Sequence, residues 1–181
     1  MLEKPLQGKK IAMVIAFRDF MDPEYFIPKS ILSGAGASVI TASTEKGLAI
    51  GADGGEAVVD YTVSEINAED FDAVLFIGGS GMGKQLENED FHKLAKDASS
   101  KGKVVASICI AGVLLAKAGV LKGKKATVWS SPLDKSPIRI LKENGVIYKE
   151  GPVVADDKMV TASGPDAAKE FGEIIVGVLT Q

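Results

Sequence analysis

The sequence predicts an α/β protein built on a doubly wound, mainly parallel sheet with helices on both faces. Three observations predict it. Apolar runs such as Ile11–Phe17, Ala73–Ile77 and Val104–Ile108 are continuous rather than alternating, as in strands buried on both faces. Segments of helical length and pattern lie between the strands. Glycines close several of those segments, as at Gly34, Gly119 and Gly145. The 181 residues suit one domain over 1–181, long enough for a sizeable core.

The elements follow in order. The first strand is Ile11–Phe17. Asp22-Pro23-Glu24 reads as a helix start, with Asp22 as N-cap and Pro23 in the first turn; this helix runs past Ile31 and stops near Gly34 or Gly36. Ser38–Ala42 is the second strand. Gly47 to Val63 is glycine-rich and hairpin-like. Ala73–Ile77 is a buried strand ending at Gly78-Gly79, followed by a helix over Asn88–Lys101. Val104–Ile108 is a strand, and Ile110–Ala118 a helix closed by Gly119. Thr127–Trp129 is a short strand and Pro137–Glu143 a short helix. Short strands near Val153-Val154 and Met159-Val160 precede a final helix over Pro165–Leu179.

The composition excludes some function classes. The net charge is −3 and the pI about 5.3, so no basic surplus points to nucleic acid or an anionic membrane surface. The N-terminal Met1-Leu2-Glu3-Lys4-Pro5 does not start a signal region, and no apolar run is long enough to cross a bilayer. One cysteine forms no internal disulfide, which fits a reducing compartment. The expectation is a cytoplasmic protein. With one Cys and one His far apart no metal site is expected, and no cofactor.

In doubly wound sheets ligands bind at the carboxyl ends of the strands. Three loops end there: Phe17 to Glu24, Gly78 to Gly83, and the turn at Cys109. Ser107-Ile108-Cys109-Ile110-Ala111-Gly112 passes directly from strand to helix. A nucleophile elbow has this form, with small residues two before and two after the nucleophile, here Ser107 and Ala111. The helix start beside the sulfur favours a thiolate. The alternative is a buried structural thiol. In the glycine loop, an oxyanion pocket would combine the N–H of Gly79 with that of Ile110; the alternative is a flexible turn. The run lacks the spacing of a dinucleotide fingerprint and the ending of a phosphate loop.

Glu24 is either a first-turn acid complementing the helix dipole or a carboxyl group within reach of Cys109. Gly78, Trp129 and Arg18 are candidate pocket residues, with Phe17 and Phe20 at its mouth; core or surface positions are the plainer alternative for each. His92, the only histidine, falls in the polar Asp90-Phe91-His92-Lys93 and reads as a surface residue, away from the strand ends.

Taken together these segments resemble the ThiJ/PfpI superfamily over nearly the whole chain. The residues that carry the resemblance are Phe71–Gly79, Val104–Cys109, Ala118–Lys124 and Val160–Asp166 with the last helix. The resemblance implies a flavodoxin-like, class I glutamine amidotransferase-like fold and a homodimer or higher homo-oligomer. It implies Cys109 as nucleophile, Glu24 (four residues before Pro28) as its acid partner, and oxyanion contacts from the backbones of Gly79 and Ile110. A protonated carboxyl group donates to a thiolate where a carboxylate would repel it. Two departures bear on activity. The protease branch has a histidine directly after the cysteine, here Ile110, and a glutamate in the glycine loop, here Gly83. The deglycase and glyoxalase-like branch has a histidine where this chain has Trp129, which cannot serve as a base.

Three functions compete. One is glyoxalase- or deglycase-like chemistry on a small carbonyl compound, with Cys109 adding to the carbonyl. Another is a non-catalytic redox sensor or stress-response protein that uses oxidation of Cys109. An intracellular cysteine peptidase is the least supported, because its histidine is missing.

Overall fold

A computed structural model describes residues 3–181; Met1 and Leu2, part of the segment read for a signal region, lie outside the described residues. In chain order the elements are β1 (Lys10–Val14), β2 (Arg18–Phe20), α1 (Asp22–Gly34), β3 (Ser38–Ser43), β4 (Gly47–Gly51), β5 (Glu56–Val59), β6 (Tyr61–Thr62), β7 (Ala73–Phe76), the helical turn α2 (Ser80–Gly83), α3 (Glu89–Ser100), β8 (Val104–Ile108), α4 (Ala111–Lys117), β9 (Lys125–Ala126), α5 (Ser136–Glu143), β10 (Ile147–Tyr148), β11 (Val153–Asp156), β12 (Met159–Ala162) and α6 (Ala168–Leu179).

Seven strands form the main sheet in the order β11-β12-β8-β7-β1-β3-β6. All neighbours are parallel except β11, which runs antiparallel along β12. The central strands β7 and β8 are buried at every position because both faces are covered, while β3 and β6 toward the edge carry polar and exposed residues. Alternate residues face opposite sides. Ala12, Val14, Val74, Phe76 and Val105 join Phe91, Leu94, Ala95 and Ala98 of α3 and the apolar residues of α4. Ile11, Met13, Leu75, Ala106 and Ile108 join Tyr25 and Leu32 of α1 and Phe171 and Ile175 of α6. No helix among the described residues is long and apolar enough to cross a membrane.

The chain passes from β1 outward to β3 on one side, then returns to lay β7 and β8 on the other. The direction of winding therefore reverses between β1 and β7, and side chains at their carboxyl ends face a common crevice there. The loop after β1 leads into α1, the loop after β7 is Ile77–Gly79, and β8 ends at Cys109.

Some local expectations change. Met21, not Asp22, caps α1, with no side-chain cap bond. The Asp22 carboxylate instead accepts the N–H groups of Asp53 and Gly55, at 2.9 and 2.7 Å, and so ties down the turn between β4 and β5. The hairpin read over Gly47 to Val63 is present as β4 and β5, but it pairs with β2 in a separate three-stranded sheet. Thr127–Trp129 is not a strand. The Thr127 N–H goes to the Thr161 hydroxyl and the Trp129 N–H to the Cys109 carbonyl, so no strand partner is left for a ladder. Asn88 caps α3 rather than opening it, accepting from Asp90 and Phe91.

Candidate functional site

Cys109 follows the last residue of β8 and has φ 63°, a left-handed conformation that costs a non-glycine residue of order 1–3 kcal/mol. The surrounding bonds hold it there. Its N–H donates to Ala162 at 2.9 Å, and its carbonyl accepts from Gly112 at 3.3 Å and Trp129 at 3.4 Å. Ile110 returns to right-handed helical geometry and opens α4. Ser107 and Ala111, the small residues on either side, are both buried. The strand-to-helix turn thus has the strained form that the sequence pattern predicts.

Glu24 reaches the same point from the first turn of α1. Pro28, four residues on, has no N–H to give the Glu24 carbonyl, so one helical bond is missing at the acid. The side chain is wholly buried (0 % exposed), which separates it from an ordinary dipole-complementing acid at a helix start. Oε2 accepts the Gly78 N–H at 3.0 Å, while Oε1 is buried without a hydrogen-bond partner. Gly78 lies between Glu24 and Cys109. A Cβ there would stand 2.6 Å from both the Cys109 Cβ and Glu24 Oε2, so no larger residue fits. The Gly78 carbonyl accepts from Met21, which fixes the start of α1 against this loop.

The two ionisable groups are pushed in the same direction. Burial raises the Glu24 carboxyl to about 7, against smaller lowering effects from contact with the Cys109 side chain and the Gly78 N–H. Burial also raises the Cys109 thiol, and with the Glu24 charge beside it the thiol reaches about 12. The N–H groups of Ile110 and Gly79 point at the sulfur and pull the other way without offsetting this. The lowering contacts that the sequence expects at this helix start are therefore present, and burial and the Glu24 charge oppose them.

Cys109 opens onto a cavity of about 310 Å³ lined by Met21, Gly79, Ser80, Gly83, Ile110 and Trp129. Gly79, Ile110 and Trp129 are thus brought to the thiol. Gly78 lies behind it rather than in the cavity wall. Arg18 is not in the wall either; it is exposed on β2, with its guanidinium 5.2 Å from the centre of the Phe17 ring. Phe20 belongs to the core rather than the mouth. His92 is held elsewhere, with Nε2 2.7 Å from the Leu86 carbonyl. Met21 and Ser80 were not anticipated; the signal for Met21 was its place three residues before Glu24. Among the described residues no three His, Cys, Asp or Glu side chains gather where they would hold a metal.

The sequence model of the DJ-1/PfpI family matches residues 9–177. The chain belongs to the DJ-1/PfpI family. A Methanocaldococcus jannaschii protein described as uncharacterized is 40 % identical over 168 residues, covering 92 % of this chain and 80 % of its own. Deglycase PfpI of Pyrococcus furiosus is 33 % identical over 153 residues, covering 84 % and 89 %. The crystal structure of a ThiJ/PfpI domain protein from Brachyspira murdochii superposes with a TM-score of 0.89 at 33 % identity, over 95 % of this chain and 98 % of that one. The flavodoxin-like layering expected from the resemblance is the fold observed. Ile110 and Trp129, read from the resemblance as standing in place of histidines, both line the cavity.

Proposed function

We propose that this DJ-1/PfpI protein is a cysteine-dependent enzyme acting on small carbonyl compounds, with glyoxalase- or deglycase-like chemistry. The observation that carries the reading is the buried Glu24 carboxyl beside the Cys109 thiol, with one oxygen unpartnered. An acid that titrates near 7 exists in both protonation states at neutral pH and can take a proton and return it.

The proposed steps use only this chain, substrate and water. The Glu24 carboxylate takes the thiol proton as the sulfur bonds to the aldehyde carbon of a 2-oxoaldehyde. The aldehyde oxygen gains negative charge between the N–H groups of Gly79 and Ile110, then takes the proton from Glu24. The hydrogen on the former aldehyde carbon leaves as a proton to Glu24. It is returned to the neighbouring carbon, and the proton of the hemithioacetal hydroxyl passes through Glu24 or water to the oxygen on that carbon, so that the hemithioacetal becomes the thioester of a 2-hydroxy acid. Water cleaves the thioester, releasing the 2-hydroxy acid and restoring the thiol. Deglycation would begin with the same attack on a carbonyl-derived adduct. The relative named Deglycase PfpI supports this class of chemistry.

The amides of Gly79 and Ile110 at the sulfur and the cavity beside it favour the enzyme over the redox sensor, since oxidation of a thiol needs neither an oxyanion site nor a substrate cavity. Peptidase chemistry has the least support, because Ile110 supplies no imidazole. The test is conversion of methylglyoxal to lactate. Wild type is expected to form lactate above the buffer rate and Cys109→Ser is not. Equal rates for the two would remove the proposal.

A further inference from the structure

The wall of the Cys109 cavity is made of Met21, Ile110 and Trp129 with Gly79, Gly83 and Ser80. Apart from Cys109 itself it contains no ionisable side chain. Glu24 is buried beside the thiol and is not part of the wall, and Arg18 lies on the Phe17 ring, outside the wall. On the other side of Trp129 is a groove of about 540 Å³ whose ionisable side chains are Glu150, Asp166 and Tyr148. An anionic substrate would thus leave water without a cationic partner and approach two carboxylates. An uncharged aryl or branched alkyl group would exchange water for the indole, thioether and isoleucine surfaces.

We infer that the substrates are uncharged 2-oxoaldehydes carrying an apolar group, and that Trp129 is a specificity-determining residue for them. This rests on the carbonyl chemistry proposed above. In phenylglyoxal the aldehyde would meet the Cys109 sulfur while the ring lies against Trp129 and Met21, and the product is mandelate.

The experiment compares kcat/KM for phenylglyoxal, methylglyoxal and 4-carboxyphenylglyoxal, measured as the mandelate, lactate or 4-carboxymandelate formed. One added methylene in an apolar pocket discriminates about 10- to 200-fold. The expected order is phenylglyoxal at least about tenfold above methylglyoxal, and the carboxylated ring below phenylglyoxal by a similar factor. In Trp129→Ala the phenylglyoxal-to-methylglyoxal ratio falls about tenfold. Turnover of methylglyoxal equal to or better than phenylglyoxal, or an unchanged ratio in Trp129→Ala, overturns the inference and leaves the carbonyl chemistry standing. If none of the three is turned over, both fall. Alkylation of Cys109 gives a reading independent of turnover. 2-Chloroacetophenone is expected to gain more on chloroacetamide with wild type than with a free cysteine peptide, and no such gain would contradict the apolar preference.

Discussion

The carboxyl group of Glu24 and the thiol of Cys109 meet over Gly78, with Oε2 of the acid tied to the Gly78 N–H and Oε1 left unpartnered. The relationship sets a trade between stability and chemistry. Burying an acid that must also exist as a carboxylate weakens the fold at the pH where the carboxylate forms.

That cost is measurable. Glu24 holds its proton more tightly in the folded state, at about 7, than at the ordinary value of 4.5. Its favourable contribution is fully present below about 4.5 and is lost as pH rises through 7, a change of about 3 kcal/mol at 1.36 kcal/mol per pKa unit. Glu24→Gln does not titrate. Urea denaturation at pH 4 and pH 9 should therefore show the variant gaining about 3 kcal/mol on wild type across that range. A constant difference would show that Glu24 is not held near 7.

Gly78 is the spacer between the two groups. A methyl group there meets the Cys109 Cβ and Glu24 Oε2 at 2.6 Å and the Ile108 carbonyl at 2.9 Å, and neither the Cβ nor the backbone carbonyl can swing aside. Gly78→Ala should cost about 1–3 kcal/mol by denaturation, as overpacking of a filled site does, and should abolish lactate formation. Wild-type stability together with full turnover would mean that the acid and thiol are not held over this glycine.

Cys109 should resist oxidation. Burial and the Glu24 charge raise its thiol, which lowers the thiolate fraction open to peroxide. After mild peroxide, mass spectrometry should find Cys109 reduced while a control reactive thiol is oxidised to sulfenic or sulfinic acid. Rapid oxidation at pH 7 would restore the sensor reading.

The parallel strands were legible in the sequence because burial on both faces leaves continuous apolar runs, as in Ile11–Ile15 and Ala73–Ile77. The turn at Cys109 was legible because its sterics require small residues at Ser107 and Ala111. The burial that raises the thiol was not, because helix starts and sequence spacing say nothing about desolvation. Arg18 was misplaced for a related reason. Three residues of loop joined the β4–β5 hairpin as β2, a long-range pairing with no local pattern, and carried its side chain away from the cavity. The short strand read at Thr127–Trp129 failed because its N–H partners are a side chain and the Cys109 carbonyl, both brought near only by the tertiary fold.

The central claim is that Glu24 moves the proton for Cys109, and the pH dependence of kcat/KM for methylglyoxal tests it most directly. Wild type should rise through an apparent pKa of about 7, as the carboxylate that accepts the thiol proton forms. Glu24→Gln should be slower by about 10²–10⁴, the usual worth of a positioned acid–base group, and should lack that rise. A Glu24→Gln enzyme with the wild-type rate and the same pH profile would contradict the account.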